Sequence, residues 1–119
     1  MKKKLSHYAV NFKVPDAEAA AEWYREKLGF EIIFKWGEPV NYVVTNREEV
    51  VSIHFVTSEK EPIQKQSIYV FCFAVDEVYE ELKEKKIDKM SPIADQDYGM
   101  RDFDVFDPYG NQITFGTGL

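Results

Sequence analysis

RDFDVFDPYGNQITFG, residues 101–116, decides the fold. It alternates polar and apolar residues, breaks at Asp107-Pro108-Tyr109-Gly110-Asn111, and alternates again, which is the pattern of two antiparallel strands joined by a tight turn. Pro108 presets the first turn position, and Gly110 or Asn111 supplies the positive φ that follows. Phe103, Val105, Ile113 and Phe115 then share one face, and Asp102, Asp104, Gln112, Thr114 and Gly116 share the other. The opposite register would bury two unpaired carboxylates, so the apolar face is expected under a helix and the acidic face open.

Upstream of this hairpin, SIYVFCFAV (67–75) reads as a strand, and a helix is expected from Asp76 to about Lys86. The first half of the chain has the same order. YAVNFKV (8–14) alternates as a strand, Asp16 caps a helix, Gly29 ends it, and strands follow at 30–36, 40–46 and 50–57. Asp16 and Asp76, Val10 and Val70, Ile53 and Ile113, and Phe55 and Phe115 are all sixty residues apart, which points to an internal repeat. The polar stretch SEKEPIQKQ (58–66) joins the copies. The expected architecture is an α+β fold in one domain, 1–119. Two βαβββ modules, about 5–58 and 67–117, form a curved mixed sheet with a concave trough. Tyr8, Val10, Phe12 and Val14, and in the second copy Ile68, Val70, Cys72 and Ala74, are assigned to the helix side. Ala9, Asn11, Lys13, His54, Tyr69, Phe71 and Phe73 are assigned to the trough.

The chain has 119 residues, a net charge of −6 and a sequence pI near 4.9. That balance argues against binding nucleic acid or an anionic membrane and favours a cationic ligand. The residues from Lys60 onward carry −5 of the −6. Glu77, Glu80, Glu81 and Glu84 fit a solvated helix face, whereas Asp95, Asp97, Asp102, Asp104 and Asp107 cluster around the hairpin. No apolar run approaches the roughly 20 residues of a membrane span, and the N-terminal stretch lacks the apolar core of a signal peptide. The single cysteine, Cys72, excludes an intramolecular disulfide and suits a cytoplasmic location.

The repeated unit, the strand ending at Asp16 followed by WYREKLGF, and FDVFDPYGNQITFG together resemble the vicinal oxygen chelate superfamily. Its members include glyoxalase I, extradiol dioxygenases, and fosfomycin and bleomycin resistance proteins. Metal enzymes of that superfamily take His and Glu ligands from the first and last strand of each unit. The corresponding positions are Ala9, His54, Tyr69 and Thr114, of which only His54 is an ordinary metal ligand. The resemblance therefore implies a non-enzymatic binder of the bleomycin resistance type, a homodimer holding a cationic or aromatic small molecule with no metal or other cofactor. His54, Tyr69, Phe71, Asp102, Asp104 and Thr114 are the expected ligand contacts, with no catalytic residue assigned. The alternatives are a metal-dependent lyase, isomerase or dioxygenase of the same superfamily, and metal-free acid–base chemistry with His54 beside Tyr69. Plainer roles compete for several residues. Phe71 and Phe73 could fill an interface or a small core, the Asp pair could be a solvated strand face, Trp23 and Tyr24 fit a core, and Arg101 fits a structural ion pair.

Overall fold

A computed structural model describes residues 2–60 and 63–119. The joint at 58–66 thus includes Glu61 and Pro62, which lie outside the described residues. The fold is α+β, with two mixed sheets in two compact units, Met1–Ile63 and Gln64–Leu119.

In the first unit β1 (Val10–Val14) precedes α1 (Ala17–Leu28), and β2 (Glu31–Trp36), β3 (Tyr42–Arg47) and β4 (Val51–Thr57) follow. The sheet order is β1-β4-β3-β2, with β1 parallel to β4 and the other pairs antiparallel. α1 starts where Asp16 Oδ1 accepts hydrogen bonds from the Glu18 and Ala19 amides, each 3.1 Å long. It ends at Gly29, whose φ of 71° is left-handed. Ala17, Ala20, Ala21, Tyr24 and Leu28 lie on one helical stripe and are fully buried against Phe12, Val43, Ile53 and Phe55. Tyr24 is the centre of this core, its ring 4.7 Å from Phe55 and 5.6 Å from Phe30.

The second unit runs β5 (Ser67–Phe71), α2 (Val75–Lys83), β6 (Lys89–Met90), β7 (Ala94–Asp95), β8 (Met100–Phe106) and β9 (Gln112–Gly118). β5 is parallel to β9, β9 antiparallel to β8, and both β6 and β7 pair with β8. The unit expected as βαβββ therefore has the first strand after its helix in two short pieces, both at the edge of the sheet beside β8. Pro92 falls between them and has no N–H to give to a ladder. The core is Val75, Leu82, Phe103, Val105, Ile113 and Phe115, with Phe103 stacked on Phe115 at 5.4 Å. Glu77, Glu80, Glu81 and Glu84 are exposed on α2.

Several sequence-based boundaries are corrected. Val10 is the first residue of β1 because its partner Ile53 is where the parallel pairing starts, so Tyr8 stands off the sheet, 84% exposed rather than under the helix. β5 ends at Phe71, after which the Cys72 amide bonds to the Gly116 carbonyl and the chain turns into α2. Ala74 and Phe73 are consequently exposed instead of lying on opposite faces of a longer strand. α2 starts at Val75 with Ala74 as its cap residue, which provides no side-chain hydrogen bond. The offset of sixty holds for the last strands only. Val10 pairs with Ile53 as Ile68 pairs with Ile113, and Asp16 caps as Ala74 does, so the opening strands and helix starts are offset by fifty-eight. Asp76 is thus no counterpart of Asp16. It binds Arg101 instead.

Candidate functional site

The pleat of each sheet turns one face to its helix and leaves a second face with the chemistry. In the terminal hairpin, Asp107 holds the turn. Its Oδ1 accepts from the Tyr109 amide at 2.8 Å and the Asn111 amide at 2.9 Å, and its Oδ2 accepts from Asn111 Nδ2 at 3.0 Å. Gly110 is the residue with positive φ, at 90°. This turn fixes the register in which Asp104 faces Thr114 and Asp102 faces Gly116, with Phe103 and Val105 buried behind them. The expected orientation of the acidic strand is therefore the one observed.

On that face Tyr69 pairs with Thr114 and Phe71 with Gly116 across the parallel ladder. The Tyr69 and Phe71 rings are tilted against each other, 4.8 Å between centroids, and Phe71 is 75% exposed. Thr114 Oγ1 donates to Asp104 Oδ1 at 2.7 Å. Asp102 does not lie on a solvated strand face, the plainer role weighed for the Asp pair. It is only 3% exposed and accepts from the Tyr69 hydroxyl at 2.9 Å, the Tyr98 hydroxyl at 2.7 Å and Gln96 Nε2 at 3.1 Å. Its position behind Tyr69 and Tyr98 shields it, and three donors replace the lost water. Burial first, and then the bond to Asp102, pushes the Tyr69 phenol well above its usual range. The bond to Asp102 pushes Tyr98 up to about 12. Arg101 points elsewhere and takes the structural role: it binds Asp76 at 2.8 Å and Asp95 at 3.0 Å, and those carboxylates raise its pKa.

His54 belongs to the open face of the first unit. Its Nδ1 is hydrogen-bonded to the Tyr42 hydroxyl, and Asn11 and Val44 flank it across the ladder. The same face carries Phe34 opposite Val44 and Trp36 opposite Tyr42, with Trp36 62% exposed. Phe34, Trp36 and Tyr42 were not singled out from sequence, although the alternation of FEIIFKW puts the first two on one face. Trp23 is half-buried and Tyr24 is core, so neither adds to this face.

The residues do not fit a metal of the superfamily's kind. Ala9 has no donor and precedes β1, the Tyr69 and Thr114 hydroxyls are spent on Asp102 and Asp104, and His54 is alone as a ligand type. Among the described residues no three His, Cys, Asp or Glu side chains are grouped to hold an ion. His7 is exposed and bonds to the Ser6 hydroxyl.

The model of the glyoxalase/bleomycin resistance protein/dioxygenase superfamily matches residues 4–115. The chain belongs to that superfamily. Solved structures of the superfamily's fold agree with it over nearly their whole lengths. TioX from Micromonospora sp. ML1 superposes with a TM-score of 0.82 at 18% identity, over 96% of this chain and 99% of that one. A bleomycin-binding protein complexed with bleomycin gives 0.78 at 17%, over 97% and 100%. Lactoylglutathione lyase from Agrobacterium tumefaciens gives 0.72 at 19%, over 98% and 96%. No curated protein sequence matches the chain. The neighbours include both a binding protein and a lyase, so superfamily membership leaves the activity to the residues on the open faces. No helix among the described residues is long and apolar enough to cross a membrane.

Proposed function

We propose that the protein is a non-enzymatic small-molecule binder of the bleomycin resistance type, acting as a homodimer on a planar, cationic ligand. The observation that carries this reading is the exposed Phe71 ring, braced by Tyr69, on the same sheet face as the carboxylates Asp102 and Asp104. A flat ring can stack on Phe71, and a positive group gains about 0.5–2 kcal/mol from an aromatic face. The first unit's Phe34 and Trp36 offer the same kind of surface on the face that carries His54, with β3 between them. An excess of six negative charges favours a cation over an anion at either face. A second copy would cover the exposed Leu5, Tyr8 and Ile33. The lone cysteine suits a cytoplasmic setting.

Calorimetric titration with proflavine, a cationic acridine, against neutral acridine tests the reading. Phe71→Ala weakens both compounds, whereas Asp104→Asn and added salt weaken proflavine alone. Equal losses for both compounds, or no binding of either, contradict it.

A further inference from the structure

We propose that Tyr98 is a displaceable latch: its hydroxyl occupies, on Asp102 Oδ2, the place of a cationic N–H donor supplied by the ligand. The inference rests on the binding role just proposed and names the ligand group the site selects, an amidinium, guanidinium or primary ammonium.

Asp102 is a buried carboxylate with no basic side chain bonded to it among the described residues. The one neighbouring cation in sequence, Arg101, is on the opposite side of the pleat and committed to Asp76 and Asp95. All three donors to Asp102 are uncharged, which is the weaker way to satisfy a buried anion. The three are not equally fixed. Tyr69 is anchored in β5, and its ring crosses the backbone at Gly116, where the lack of a side chain makes room for it. Tyr98 is 66% exposed at the tip of the turn between β7 and β8, and among the described residues its side chain makes one hydrogen bond, from its hydroxyl to Asp102. The turn itself is closed by backbone bonds that do not involve Tyr98, from the Gln96 amide to Met100 and from the Gly99 amide to Gln96. Gly99 has φ of 86° and nothing within 4 Å of the space its side chain would take, so the turn is open to solvent at the residue after Tyr98. A rotation about the Tyr98 Cα–Cβ bond therefore uncovers Oδ2 with the turn and sheet intact. A charged N–H donor can then replace a neutral O–H donor, while Tyr69 and Gln96 keep their bonds. Neutral ligands gain nothing by opening the latch, since they would exchange one neutral hydrogen bond for another.

The test uses the full chain with benzamidine as probe and benzamide as its neutral isostere, followed by amide chemical shifts in NMR titrations. Tyr98→Phe removes the competing hydroxyl and keeps the ring. It is expected to tighten benzamidine by about fivefold, because the open form no longer has to be populated against a hydrogen bond, and to tighten benzamide by less, because a neutral N–H makes the weaker bond to the vacated carboxylate oxygen. In the wild-type protein benzamidine should shift the Asp97, Tyr98 and Gly99 amides, and Asp102→Asn should abolish that response. Unchanged or weaker benzamidine binding to Tyr98→Phe, absence of binding included, overturns the latch. If proflavine still binds in that case, the latch fails and the binding role survives; if neither cation binds, both fail.

Discussion

The Tyr69 hydroxyl occupies the space that a β-carbon on Gly116 would need. The ring Cζ lies only 2.7 Å from that point and Asp102 Cβ 2.8 Å. The glycine is required by this close approach rather than by an unusual φ. It lets the phenol of β5 lie across β9 and reach a carboxylate on β8, so that the two strands flanking β9 are tied through one buried carboxylate.

Gly116→Ala should therefore push Tyr69 off Asp102 and destabilise the protein by about 1–3 kcal/mol, the usual cost of overpacking. Denaturant unfolding measures this. In a Tyr69→Phe background the same substitution should cost less, because the hydroxyl that collides with the new methyl group is gone.

The two phenols on Asp102 should ionise well above the usual phenol range. Both are raised in the folded protein, so the folded state holds protons that the unfolded state has lost above pH 10. Their contribution to stability is complete below pH 10 and is lost as pH rises through about 12, where Tyr98 titrates. Absorbance titration at the tyrosinate band should show this late fraction, and Asp102→Asn should move Tyr98 back down. A single transition at the usual phenol pKa would contradict the pairing.

At the hairpin turn, Asp107→Ala should cost about 2–3 kcal/mol, since the Tyr109 and Asn111 amides lose a charged acceptor in a buried setting. Asn111→Ala should also release the Gln66 amide, which bonds to Asn111 Oδ1 at 2.9 Å and starts β5 beside β9. Thermal unfolding and amide exchange at residues 66–70 report both effects.

What the sequence made legible follows from where local pattern decides structure. Strict alternation in RDFDVF and NQITF, with one turn chemistry between them, left a single register in which no carboxylate is buried beneath a helix. Asp16 and Gly29 marked the limits of α1 for the same local reasons. Asp102 shows the limit of that reasoning. Alternation gives a residue's face, but its burial depends on Tyr69 and Tyr98, which reach it from other strands and turns. The sixty-residue offset misled because two extra residues lie between helix start and last strand in the second unit. Identical residues at Asp16 and Asp76 hid the shift. Trp36 and Phe34 stood in a recognised strand, but the strand pairing that places them beside Tyr42 and Val44 is not written in their own segment.

In the role proposed for this protein, aromatic and carboxylate side chains hold the ligand without a metal ion. The most direct test of that role is a proflavine titration of EDTA-treated protein, repeated after adding zinc, nickel or ferrous ion. The expected result is saturable binding to the metal-stripped protein, with the same affinity after each ion, the same melting temperature with and without EDTA, and the dye recovered unchanged. Binding that appears only with a stoichiometric divalent ion, and that His54→Ala removes, would contradict it.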